Sequence, residues 1–396
     1  MRPLDGIVVI DFSRVLSGPY CTAQLADLGA RVIKIEQPGH GDDTRAWGPP
    51  FLQGESSYFL SINRNKESLG LDLKHPASRQ IVDGLLDRAD VVVENFRPGT
   101  MHRLGLGYDE VAAQRPRIVY CSISGFGQTG PRRAEPGYDA VMQAEGGLMS
   151  ITGARDGPPY RLGVAIADLA TALFAVQGIL AALIAREQTG RGQLVDVGML
   201  DTVASLLTYQ AGIVFATGTS PGRMGNQHPS IAPYDTFATA DGEFVLAVGN
   251  DEQFRRMAAL LQEPWLSADP RFATNSDRVH HYDALRAELR RVFATWKRDA
   301  VVRALTDAGV PCGAVRSVTE TLADPQLAAR DMIVPITHAV AGDIRVLGNP
   351  LKLSATPPEI RTAPPALGQH TDAILEGDLG LRQEEIARLR REGAIA

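Results

Sequence analysis

The chain has 396 residues, of which 44% are hydrophobic and 22% charged, with a formal net charge of −6. That balance excludes a disordered chain, and the length allows two domains. An acidic protein without a basic run is a poor partner for nucleic acid.

Taken from the start, "MRPLDGIVVIDFSRVLSGP" is no signal peptide, because Asp5 and Asp11 interrupt a short apolar run. "GIVVIDF" predicts a buried strand, "GPYCTAQLADLGA" a helix ended by Gly29, and "RVIKIE" a second strand. A short strand at "LGLDL", a helix at "PASRQIVDGLLDRA" and strands at "DVVVENF" and "RIVYCSIS" follow. Leu169, Leu173, Phe174, Val176, Ile179, Leu180, Leu183 and Ile184 recur at helical spacing, predicting a buried helix before the strand "GQLVDVGM". From Leu169 to Ile184 that segment reads as too short, and too closely flanked by charge, to span a membrane. The alternation argues for a parallel α/β sheet.

Near Leu206 the texture changes to a Gly-, Pro- and Ser-rich crossing. "FATADGEFVLAVG" then reads as a hairpin turning at Asp241-Gly242. Helices follow at "DEQFRRMAALL", "HYDALRAELRRVFATW" and "RDAVVRALTDAG", then a short strand at "VPCGAVR". The expected division is a large domain over 1–205, a linker over 206–224, a small α+β domain over 225–325, and a return to the large domain over 326–396. The charged helical tail is expected to pack on the large domain.

Asp168 interrupts this pattern, a lone carboxylate just before a buried helix. One reading is an N-cap, whose oxygen accepts a bond from a free N–H of the first turn. The other is a nucleophile, held ionised and aimed by the helix N-terminus. "VENFRPGTMHRLGLG" puts Asn95, Phe96, Arg97 and Arg103 at a strand end, where open α/β sheets bind ligands. With Lys66 and Lys74 from "SINRNKESLGLDLK" they read either as solvated face residues or as a site for a phosphate-bearing ligand.

"GFGQTG" (125–130) imitates a dinucleotide fingerprint. Pro131-Arg132-Arg133 follows instead of a helix, so its glycines read as a tight turn beside a ligand or beside Asp168. Eight scattered histidines and three distant cysteines, Cys21, Cys121 and Cys312, form no metal motif and no C-x-x-C pair. A reduced cytoplasm fits this cysteine usage. No G-x-S-x-G elbow is present.

Together "DFSRVLSGPYCTAQLADLGARVIKIE", "NRNKESLGLDL", "VVVENFRPG", "GYDAVMQAEGGLMSITG", "GVAIADLATA", "TGRGQLVDVGMLD" and "LGQHTDAIL" resemble the family III CoA-transferases, in family order through nearly the whole chain. The sequence looks most like the enzymes that move CoA between dicarboxylates. The resemblance implies a Rossmann-like large domain with a smaller α+β domain, and two chains interlocked in a homodimer. It implies Asp168 as the catalytic residue. Ser17, Leu71, Lys74, Asn95, Phe96 and Arg103 would contact CoA, with Arg97 beside them. Leu16, Tyr138, Asp139 and His228 would lie on the substrate side, under a loop at 225–234. CoA and acyl-CoA would be substrates, with no tightly bound cofactor, metal or membrane partner. Leu16 stands where formyl-CoA transferase has an active-site Gln, which speaks against oxalate and formate as the substrate pair.

The chemistry suits the residues independently. A carboxylate can carry CoA between two acids through an anhydride and a thioester, if water is excluded. Two rival readings stay open. Racemases that resemble this fold need a His–Asp pair where this chain has Tyr138-Asp139, and tyrosine is a poor base near neutral pH. A non-catalytic CoA-binding protein would keep the basic loops without needing Asp168. Arg161 and His228 are expected to approach the second carboxylate of a dicarboxylate.

Overall fold

A computed structural model describes residues 2–396. Six strands, β1 (Val8–Asp11), β2 (Arg31–Glu36), β3 (Lys66–Gly70), β4 (Val91–Glu94), β5 (Val119–Ser124) and β6 (Leu194–Gly198), form one parallel sheet in the order β3-β2-β1-β4-β5-β6. Between them run α1 (Ser17–Asp27), α2 (Ser78–Leu86), α3 (Asp139–Glu145) and α4 (Ile166–Thr189). The period-2 alternation of each strand sends side chains to two cores. Val9, Val91, Val93 and Val119 pack under α1 and α4. Ile10, Ile33, Val92 and Tyr120 pack under α2 and the C-terminal helices. The C-terminal tail reaches β3: Ala396 N–H bonds Gly70 C=O at 3.1 Å, and His370 N–H bonds Ser68 C=O at 3.0 Å.

The chain steps outward from β1 to β3 and then begins β4 on the other side of β1. Loops after β1 and β4 therefore part in opposite directions and open a crevice at the strand ends, where ligands bind in such sheets.

Two elements differ from the sequence reading. The strand expected at "LGLDL" is β3, and it begins at Lys66. Lys66 looks like a surface residue, but its side chain is fully buried, with Nζ on Pro19 C=O (2.8 Å), Asn63 Oδ1 (2.9 Å) and Asp11 Oδ2 (3.2 Å). It is therefore not a phosphate ligand.

The helix expected from Leu169 is α4, which starts at Ile166 and runs 24 residues. By length and composition it could cross a membrane, contrary to the reading of Leu169–Ile184 as too short. Here it lays Ala167, Ala170, Ala172, Ala175, Ile179 and Ala182 inward. Small residues let a helix approach closely, so the face toward the sheet is its alanine face. Leu173, Phe174 and Ile184, expected in the core, are 54%, 41% and 65% exposed.

The chain divides into two compact units. The first comprises residues 2–148, 161–211 and 325–396, and the second residues 149–160 and 212–324. A helix at Thr208–Thr217 runs through the expected linker. The segment 149–160 belongs with the second unit because Gly153 C=O accepts Gly225 N–H (2.9 Å) and Arg155 bonds Gln227 (3.2 Å). That unit holds an antiparallel sheet of Tyr234–Ala238, Glu243–Ala247 and Cys312–Ala314, over a core of Phe237, Phe244, Phe254 and Phe293.

Candidate active site

Two adjoining cavities open at the crevice between β1 and β4, both lined in part by Arg14 and Phe96. The larger, about 500 Å³, is bordered by Ser13, Leu71, Lys74, Phe96 and Arg103. Lys74 and Arg103 are exposed at its rim, while Leu71 is buried. Apolar walls with two cations at the mouth suit a ligand that is part nucleotide, part phosphate. The smaller, about 130 Å³, is bordered by Ser17, Asn95, Arg97, Gly125, Tyr138 and Asp168. Gly125 and Gly137 are required there, because a Cβ on Gly125 would stand 2.8 Å from the Gly137 Cα. The strand before "GFGQTG" ends at Ser124 and the next helix is α3, so no dinucleotide-binding turn forms.

Asp168 sits in the first turn of α4, three residues inside the cap position at Ala165. It is not the cap. That role falls to Asp139 at the start of α3, whose Oδ1 accepts Ala167 N–H at 2.9 Å. Gln143 steadies Asp139 through a 2.7 Å bond to Oδ2 and holds Leu162 N–H with its own oxygen at 2.9 Å. Asp168 is thus left free of capping duty and faces the cavity.

Burial pushes the Asp168 carboxyl up to about 7 and the nearby Asp139 adds to the rise, while a hydrogen bond from Ser17 pulls it down. Desolvation is the largest influence on this carboxyl. Tyr58 is pushed up to about 12, by burial and then by Asp168, Asp139 and Asp42.

The other expected residues divide. Ser17, Asn95, Phe96, Arg97, Tyr138 and Asp168 meet in the smaller cavity, and Leu71, Lys74, Phe96 and Arg103 in the larger. Asn95 lines the cavity wall, but both ends of its amide are spent on the Arg14 backbone (2.8 and 2.7 Å). Leu16 is buried in the core and lines neither cavity. Arg161 is exposed, bonds the Leu162 carbonyl at 3.1 Å and lines neither cavity. His228 belongs to the second unit, in a separate cavity of about 310 Å³ beside Arg155 and Tyr234, 5.5 Å from the Tyr234 ring. Among the described residues no group of His, Cys, Asp or Glu could hold a metal ion.

Residues 4–371 match the family model described as CoA-transferase family III. The chain belongs to CoA-transferase family III. It is 41% identical over 395 residues to a succinyl-CoA:glutarate CoA-transferase of Mus musculus, covering 100% of this chain and 91% of that protein. It is 44% identical over 374 residues to an acetyl-CoA:oxalate CoA-transferase of Acetobacter aceti, covering 94% and 95%. A crystal structure of a CAIB/BAIF family protein from Brucella suis superposes with a TM-score of 0.87 at 42% identity, covering 95% of this chain and 99% of that one. The chain is a CoA-transferase.

For this CoA-transferase the sequence reading missed Arg14, Lys34 and Asp42, all of which border the larger cavity. Lys34 carried a legible signal. A charged residue between Ile33 and Ile35 of a fully buried strand needs an internal partner.

Proposed function

We propose that this CoA-transferase moves CoA from succinyl-CoA to a dicarboxylate acceptor through covalent intermediates on Asp168. The observation that carries this reading is the buried Asp168 carboxyl, relieved of capping by Asp139, facing a small cavity that adjoins a larger one with cations at its mouth. The names of the similar proteins supply the substrate class: succinyl-CoA with glutarate in one, acetyl-CoA with oxalate in another. The second name bears against dismissing oxalate on the strength of Leu16.

The Asp168 carboxylate attacks the thioester carbonyl of succinyl-CoA, giving a mixed anhydride and CoA thiolate. The thiolate attacks the aspartyl carbonyl, forming aspartyl-CoA thioester and releasing succinate. The acceptor carboxylate then attacks that thioester, and the freed thiolate attacks the acceptor acyl carbon of the new anhydride. New acyl-CoA leaves and Asp168 is restored. Each attack is on a carbonyl and no redox partner is needed. Ser17 favours the ionised nucleophile, and the burial that raises its pKa also keeps water from the anhydride. Lys74 and Arg103 bind CoA phosphates by charge, Phe96 and Leu71 supply apolar surface, and the protein works as a homodimer without a tightly bound cofactor.

Succinyl-CoA incubated with glutarate, oxalate, citramalate and monocarboxylates, followed by mass spectrometry of the acyl-CoA products, tests the reading. New dicarboxyl-CoA is expected, and product from monocarboxylates alone would overturn the substrate class. Asp168→Asn should bind CoA and lose turnover, and hydroxylamine should inactivate the wild type only after acyl-CoA is added. Full activity in Asp168→Asn would overturn the mechanism.

A further inference from the structure

Residues Ser13–Val15, at the C-terminal end of β1, belong to no helix or strand. Their backbone is nevertheless held by side chains from several directions. Ser13 N–H donates to Asp11 Oδ1 at 2.9 Å, and Ser13 C=O accepts from Lys34 Nζ at 2.7 Å. Arg14 N–H and C=O are both taken by the Asn95 amide, at 2.8 and 2.7 Å. Val15 N–H donates to the Asp42 carboxylate, at 3.2 and 3.3 Å. Asp42 is itself fixed by Lys34 Nζ at 2.9 Å and by Thr44, through its N–H at 2.9 Å and its hydroxyl at 2.7 Å. The Lys34 and Asp42 side chains are 1% and 0% exposed.

Val15 has φ +70°, in the left-handed region. For a β-branched residue that conformation is strained and persists only where the surroundings over-determine it. The strained turn leads into α1, whose first residue is Ser17, and Ser17 borders the same cavity as Asp168. Arg14, Val15 and Ser17 all border the Asp168 cavity.

We propose that Asn95 and the buried Lys34–Asp42 pair are positioning residues for acyl transfer, holding the strained 13–15 turn so that Ser17 is set beside Asp168 in the cavity they share. The proposal rests on Asp168 being the nucleophile. Asn95 acts through the turn, since both ends of its amide bind the Arg14 backbone. The groups that face Asp168 are Asp139 of α3 and Tyr58, with Arg14, Asp43, Arg97, Glu135 and Tyr138 around the cavity. Of the groups that set its ionisation, Ser17, which favours the charged form, is the one placed by the turn.

The readout is the acidic limb of kcat/KM for succinyl-CoA against pH. A merely structural role would leave it in place. Ser17→Ala and Asn95→Ala should each move the limb up by about 1 pH unit, the size of one hydrogen bond to a charged group. The double variant should move it no further than the larger single shift, because both act through one bond. In Asn95→Ala, kcat should fall about tenfold or more, with a smaller change in KM. Thr44→Val keeps the proposal testable if Asn95→Ala does not fold. Thr44 borders neither cavity, and loosening Asp42 should move the limb in the same direction by less. A limb unmoved in the folded variants, or additive shifts in the double variant, would overturn the positioning role. Asp168→Asn, assayed alongside, separates the two readings. Activity in that variant removes the nucleophile itself, whereas an inactive Asp168→Asn with an unmoved limb removes only the positioning residues.

Discussion

Asp168 combines a raised pKa with a place in the first turn of a long helix, and its consequences reach stability as well as rate. In the folded protein the carboxyl stands at about 7 against an ordinary 3.8. The fold therefore binds a proton that the unfolded chain has released between those values. Stability from this group is fully present below about pH 4 and declines as pH rises toward 7. Replacing Asp168 with Asn removes the titration and keeps the volume. Asp168→Asn should thus be more stable than the wild type at pH 8, by about 2 kcal/mol more than at pH 5, as read by denaturant unfolding at both pH values. An equal difference at both would mean that the carboxyl is not desolvated. At the cavity mouth the expectation is different. Arg103 is exposed, bonded to the Thr100 hydroxyl at 2.9 Å, and distant in role from the chemistry. Arg103→Ala should raise KM for succinyl-CoA about tenfold and leave kcat within about twofold, the pattern of lost uniform binding. A hundredfold loss of kcat at constant KM would contradict that assignment.

At the scale of elements, the N-terminus of α4 is organised by α3. Asp139 accepts the Ala167 N–H and so frees Asp168, yet its charge also raises the pKa of the residue it frees. Asp139→Asn separates the two effects. The amide can still cap through its oxygen, while Gln143 Nε2 loses its acceptor, at about 1 kcal/mol. With the negative neighbour gone, Asp168 should ionise at lower pH, and the acidic limb of kcat/KM should shift downward. An upward shift would show that the cap, and not the charge, dominates. Lys66 makes a related point about the strands. Burial lowers it to about 8 and Asp11 opposes that fall, which is how a strand can begin on a lysine inside the first unit.

At the scale of the whole molecule, α4 exposes Leu173, Phe174 and Ile184, and the helix Thr208–Thr217 exposes Phe215 at 87%. Large apolar side chains repeated along two helices are more than the single exposed residues expected of any surface. They support the proposed homodimer. Light scattering at low protein concentration should report the mass of two chains, about twice 42.6 kDa. A stable, active single chain would exclude it.

Much of this enzyme is written in the local pattern of its sequence. Alternating β-branched runs specify a buried parallel sheet, because a strand covered on both faces needs apolar residues at every position. The basic loop after β4 and the lone Asp168 mark a strand-end site by residue type alone. Tertiary structure decided what depends on partners distant in sequence. Lys66 and Lys74 are both lysines from one quoted stretch, yet one is a buried partner of Asp11 and the other stands at a cavity mouth. Asn95 looks like a ligand contact until Arg14, 81 positions away, takes both ends of its amide. Asp168 looks like a cap until Asp139, 28 positions from Ala167, takes that bond. Periodicity encodes which face of an element is buried. Which polar group pairs with which, and which carboxyl is left to react, follows only once the folded chain has brought the partners together and removed the water between them.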